Sequence, residues 1–136
     1  MFSYDSAIFN YLYGLSYTDF EFSNMKTDKV NYSVNQDIDL NLTVQNIGNV
    51  TGKETVQIYI QALESTVFRP EKELKAHKKL ELKPGEKRRI KIVIDIDDLA
   101  YYDADKNQWS IERGPYKIMA GSSSRDIQEI TVVNIK

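Results

Sequence analysis

Three segments of this chain alternate apolar and polar residues without a break, and a period of two restricts them to half-buried β-strands. In "QDIDLNLTVQN", Ile38, Leu40, Leu42 and Val44 share one face, while Asp37, Asp39, Asn41, Thr43 and Gln45 share the other. The same division recurs in "ETVQIYIQ", through Val56, Ile58 and Ile60, and in "RRIKIVIDI", through Ile90, Ile92, Ile94 and Ile96. Five further segments read as strands: "DFEFSNMK", "EKELKAHKKLEL", "QWSIE", "PYKIMAG" and "EITVVNI". Turn chemistry separates them at short intervals, in "NIGNVTG", "KPGE", "DADKN" and "RGP". That spacing predicts an all-β, antiparallel sandwich of about seven strands with the alternating aliphatics as its core. One helix-like piece, "DIDDLAYYD", offers Asp97 or Asp98 as the cap of a single turn before Tyr101 and Tyr102.

A chain of 136 residues, 41% of them hydrophobic, suffices for one compact core. Its 18 basic and 20 acidic residues are interspersed, so it has no basic field of the kind a phosphate backbone demands, and nucleic acid is not an expected partner. Without cysteine there is no disulfide framework, thiolate nucleophile or thiolate metal site, and the compartment stays open, cytoplasmic or secreted. No apolar run approaches the roughly 18 residues of a membrane-spanning helix, so no membrane partner is expected. The opening "MFSYDSAIFN" lacks the basic region and apolar core of a leader, which predicts that no targeting signal lies in these residues.

Several groups resemble sites without completing one. Asp95, Asp97 and Asp98 cluster, but as a strand end and helix cap they lack the desolvated pocket that paired catalytic carboxylates require. Asp103, Asp105 and Asn107 alternate like the start of a calcium loop. The sixth position is then Gln108 in place of glycine, and the twelfth is Gly114 in place of a bidentate glutamate, so a polar hairpin tip is expected and no metal. His77 is the only histidine and falls with Lys75 and Lys79, opposite Leu74 and Ala76, as a solvated or domain-facing side chain. "GSSSRD", residues 121–126, lacks the G-x-S-x-G pattern of a serine nucleophile and reads as a turn. The single tryptophan, Trp109, shares parity with Ile111. Core packing or hairpin cover is expected of it ahead of a sugar-stacking platform.

Residues 1–16 depart from the alternation. They carry aromatics irregularly and are interrupted by Gly14, which predicts a lead-in from a preceding domain, with the sandwich occupying 17–136. The blocks "YGLSYTDFEFSNM", "VQNIGNVTGKETVQIYIQ", "RPEKELKAHKKLELKPGEKRRI" and "DLAYYDADKNQWSIERGPYKIMAGSSSRDI", taken in order, resemble the fibronectin type III-like domain of family 3 glycoside hydrolases, the β-glucosidases and β-xylosidases. The resemblance extends from Gly14 to the C-terminus. The chain departs from it where "FNYLYGLSYT" lacks a proline and a glycine of the family's run, and where Ala76 and His77 replace Gly-Phe.

The resemblance implies an immunoglobulin-like, fibronectin type III-like sandwich that is an accessory to catalysis. In that family the nucleophilic aspartate belongs to a (β/α)8 barrel domain and the acid/base residue to an α/β domain. No catalytic residue is therefore carried over to this chain, and no cofactor is expected. The catalytic domains of a parent hydrolase become the expected partner. Tyr4, Phe9, Tyr11 and Tyr13 would present apolar surface to them, or fold back over this domain's own sheet edge. Such a surface would also allow weak self-association of the isolated domain. The loop from Ala62 to Phe68 would reach another domain or subunit, with Phe68 as its contact. The other functional class is an independent polysaccharide- or protein-binding module. It calls for a row of exposed aromatics on a strand face, where the central strands offer only Tyr59.

Overall fold

Ten strand segments are found in a computed structural model that describes residues 19–65 and 72–136. Seven of them are eight residues or longer: β1 (Phe20–Thr27), β3 (Ile38–Asn46), β4 (Gly52–Ala62), β5 (Glu73–Leu82), β6 (Lys87–Ile94), β9 (Gly114–Ser123) and β10 (Asp126–Ile135). Three are short: β2 (Asn31–Tyr32), β7 (Tyr101–Asp103) and β8 (Gln108–Ser110). One sheet has the order β1-β3-β6 and the other β2-β10-β9-β4-β5, while β7 and β8 form a separate ribbon. All pairings are antiparallel except that of β10 with β2, which is parallel.

The core lies between the two sheets, where the alternation predicts it. Ile38, Leu40, Leu42, Val44, Val56 and Ile58 are fully enclosed, and Ile60, Ile90, Ile92 and Ile94 are buried with them. Leu80, Leu82, Tyr116, Ile118 and Val133 complete the layer from the strands of less regular sequence. Ile96 and Leu99 are added by a 3-10 turn at Ile96–Leu99. Its cap is Asp95, whose carboxylate accepts from the Asp97 amide at 2.9 Å. This corrects the expectation of Asp97 or Asp98. The turn starts at Ile96, earlier than expected, so the extended residue before it, Asp95, takes the cap.

Side chains fasten the edges of the sheets. The β10 register shifts on either side of Ile127, and beyond it Gln128 accepts from the Phe22 amide of β1 at 3.0 Å. Glu129 accepts from the Met25 amide at 3.2 Å. These bonds occupy edge N–H groups of β1 that would otherwise offer a template for strand addition. At the entry to β9 the Tyr116 hydroxyl donates to the Glu112 carbonyl at 2.8 Å, the tyrosine corner of immunoglobulin-like sandwiches. At Gly121 a Cβ would lie 2.1 Å from the Asp126 carbonyl oxygen, so the β9–β10 hairpin closes only around glycine.

Candidate functional site

The groups that resemble catalytic or metal sites are committed to local structure. Asp103 accepts from its own turn, from Asp105 N at 3.0 Å and Lys106 N at 3.3 Å, as the side chain of a hairpin tip does. Asp97 and Asp98 are exposed, and His77 is exposed opposite Gln57. In "GSSSRD", Ser122 donates to Asp126 across the β9–β10 turn. Among the described residues, no three His, Asp or Glu side chains are placed to hold a metal ion, and no helix is long and apolar enough to cross a membrane.

Among the described residues, a hydrogen bond from Tyr32 lowers Asp28, and hydrogen bonds from the Lys83 amide and Arg88 lower Glu86, while two groups are raised. Burial raises Tyr32 to about 12, reinforced by the hydrogen bond it donates to Asp28. Burial also raises Glu54 to about 6, with the Asp126 charge adding to the shift. Glu54 lines an open depression of 430 Å³ with Lys53, Thr55, Lys79, Leu80 and Glu81.

The proposed contacts Tyr4, Phe9, Tyr11, Tyr13 and Phe68 lie outside the described residues. Within them, the strand register assembles a different surface on the outer face of the five-stranded sheet. Leu74 of β5 is paired with Tyr59 of β4, Tyr59 with Met119 of β9, and Met119 with Ile130 of β10. One rung thus carries four apolar side chains on adjacent strands, spanning roughly 14 Å at the usual strand separation. Leu74 is 50% exposed and Ile130 59% exposed, while Met119 between Tyr59 and Ile130 is buried without belonging to the core cluster. Val132, paired with Lys117 on the next outward rung, extends the patch.

Sequence parity places Leu74 on the face of Ala76, and the structure reverses it. Ile58 is paired with Ala76, but Tyr59 is paired with Leu74, so Lys75 is an extra residue in β5. This bulge turns Leu74 outward beside Tyr59. Of the two expectations for Trp109, hairpin cover holds and core packing does not: it is 68% exposed and packs across its own ribbon. Its cross-strand partner is Tyr102, edge to face at a centroid separation of 5.5 Å, while Ile111 alone packs against the core.

Comparison with known proteins agrees with this architecture. Residues 54–124, just over half the chain, match the family described as Fibronectin type III-like domain. Thermostable beta-glucosidase B of Acetivibrio thermocellus is 42% identical over 120 residues, covering 88% of this chain and 16% of that protein. A β-glucosidase structure from Erythrobacter marinus superposes with a TM-score of 0.82 at 30% identity, covering 90% of this chain and 16% of its own. The GH3 β-glucosidase structure of Bifidobacterium adolescentis gives 0.81 at 35% identity, over 89% of this chain and 18% of its own. The chain thus spans about a sixth of the length of these relatives. With two facing sheets, a tyrosine corner and this match, the chain belongs to the fibronectin type III-like domain family found within family 3 β-glucosidases.

Proposed function

We propose that this chain is a non-catalytic accessory domain of a β-glucosidase-like glycoside hydrolase, stabilising and orienting the catalytic domains through interdomain contacts. The observation that carries this reading is the overlap. The whole sandwich corresponds to a 16% portion of much longer β-glucosidases. The apolar rung Leu74–Tyr59–Met119–Ile130 supports it, since a contiguous apolar strip on an outer sheet face suits a neighbouring domain. Asp95 and Asp103 accept hydrogen bonds within their own turns and Asp97 and Asp98 are exposed, the reverse of the water-excluded pair that glycoside hydrolysis uses.

The test removes the matching region from Acetivibrio thermocellus β-glucosidase B and supplies this chain, fused in its place. The fusion is expected to regain most of the thermal stability and turnover that the truncation loses. The isolated chain is expected to leave aryl β-glucosides and β-xylosides uncleaved. A fusion no more stable than the truncation, or turnover by the isolated chain that disappears in a folded Asp97→Asn, Asp98→Asn variant, would overturn the reading.

A further inference from the structure

We propose that the Tyr102–Trp109 corner of the β7–β8 ribbon is a saccharide contact that takes the C–H face of a β-linked glucopyranose unit. The choice of glucan rests on the reading of the chain as part of a β-glucosidase. The corner itself rests on geometry. Tyr102 and Trp109 are directly paired across the ribbon, with ring planes at 77° and exposures of 48% and 68%. One ring edge against the other's face leaves an L-shaped aromatic notch open to solvent.

Tyr102 is held in place by its hydroxyl, which donates to Asn107. Asn107, at the hairpin tip, adopts a left-handed φ of 53°, a conformation asparagine tolerates. Among the described residues, the ribbon pairs with neither sheet. An indole left in water by a two-stranded ribbon is an unfavourable use of its large apolar area unless something covers it.

The surroundings select the class of ligand. Residues 104–108, at the tip, are all exposed, and apart from Ala104 they are the polar Asp105, Lys106, Asn107 and Gln108. Two rings ringed by amides and charges match a pyranose, which offers an apolar C–H face bordered by hydroxyls. A protein partner would be better served by continuous apolar surface, which is what the rung across the five-stranded sheet provides.

Trp109 is the only tryptophan of the chain, so its fluorescence reports this corner alone. Titrating the full chain with cellopentaose is expected to give a saturable blue shift, with a dissociation constant in the millimolar range typical of about 4 kcal/mol of binding. Tyr102→Ala should weaken it by roughly tenfold or more, as for loss of one aromatic contact. Tyr59→Ala, on the other surface, should leave it unchanged. Matching melting curves for wild type and variants establish that the fold is intact. No shift up to about 20 mM sugar, well above the expected constant, would overturn the proposal. So would an equal shift in Tyr102→Ala, or a shift produced by the truncated β-glucosidase and not by the sugar. That last outcome would make the corner a protein contact and leave the accessory-domain reading standing.

Discussion

Asn46, the last residue of β3 in one sheet, donates from its side-chain amide to the carbonyl of Leu82, the last residue of β5 in the other, at 3.0 Å. The same Nδ2 reaches the Val50 carbonyl at 2.8 Å, and Oδ1 accepts from the Gly48 amide at 2.9 Å. Its backbone receives Gly85 N and donates to Glu86 O. One completely enclosed amide thereby fixes the β3–β4 connection and the β5–β6 turn to each other across the sandwich.

Asn46→Ala should therefore destabilise the domain by about 3 kcal/mol, the cost of leaving buried carbonyls and an N–H without partners. Urea melts with an unchanged slope measure it. A loss below about 1 kcal/mol would mean that water replaces the amide without strain.

Ile58 is fully enclosed at the centre of β4, where β5 and β9 flank it. Ile58→Ala should cost about 2 to 5 kcal/mol through lost transfer energy and the cavity left behind. Ile58→Val should cost about 1 kcal/mol. Equal effects from the two variants in denaturant melts would contradict a tightly packed position.

Glu54 makes a prediction about pH. Burial raises its folded-state value from 4.5 to about 6, so the folded protein holds this proton more tightly than the unfolded chain does. Below 4.5 neither state is charged at Glu54 and no penalty exists. As pH rises through 4.5 to 6 the folded state must ionise a partly buried carboxyl, and stability falls. Glu54→Gln should leave stability at pH 4 unchanged and raise it at pH 7.5 by about 1 kcal/mol, a figure reduced for the group's contact with solvent. Thermal melts of both proteins at the two pH values test this. The opposite sign would show that ionised Glu54 has a stabilising partner.

The core was legible in the sequence because a period of two leaves each residue of β3, β4 and β6 only one face to occupy. Leu74 was not legible. A bulge adds one residue without changing the appearance of an alternating run, and only the cross-strand register places the extra residue at Lys75. The apolar rung was hidden for a related reason, since its four members are contiguous only across four strands. Trp109 shared parity with the half-buried Ile111, but parity does not say whether a strand lies on the core or stands away in a ribbon. Asn46 read as turn punctuation in "NIGNVTG", and nothing in its neighbours signals that the β5–β6 turn, nearly 40 residues on, closes over it.

The rung gives the last prediction. Leu74 and Ile130 stand at its two ends, half or more exposed, and neither belongs to the core cluster. Changing both to aspartate should therefore alter the stability of the isolated domain by less than about 1 kcal/mol, as for surface substitutions away from structural features. If the rung is the surface that meets a catalytic domain, the same change forces two carboxylates out of water on docking. The fusion carrying Leu74→Asp and Ile130→Asp should then lose the thermal stabilisation conferred by the unaltered domain, while the separate domain melts as before. Lys53→Asp, a charge change of the same sign on an exposed residue away from the rung, is the control and should retain the stabilisation. Were the double variant to stabilise the fusion fully, the contact would have to lie on another face. The accessory role would survive, but the rung Leu74–Tyr59–Met119–Ile130 would no longer be its surface.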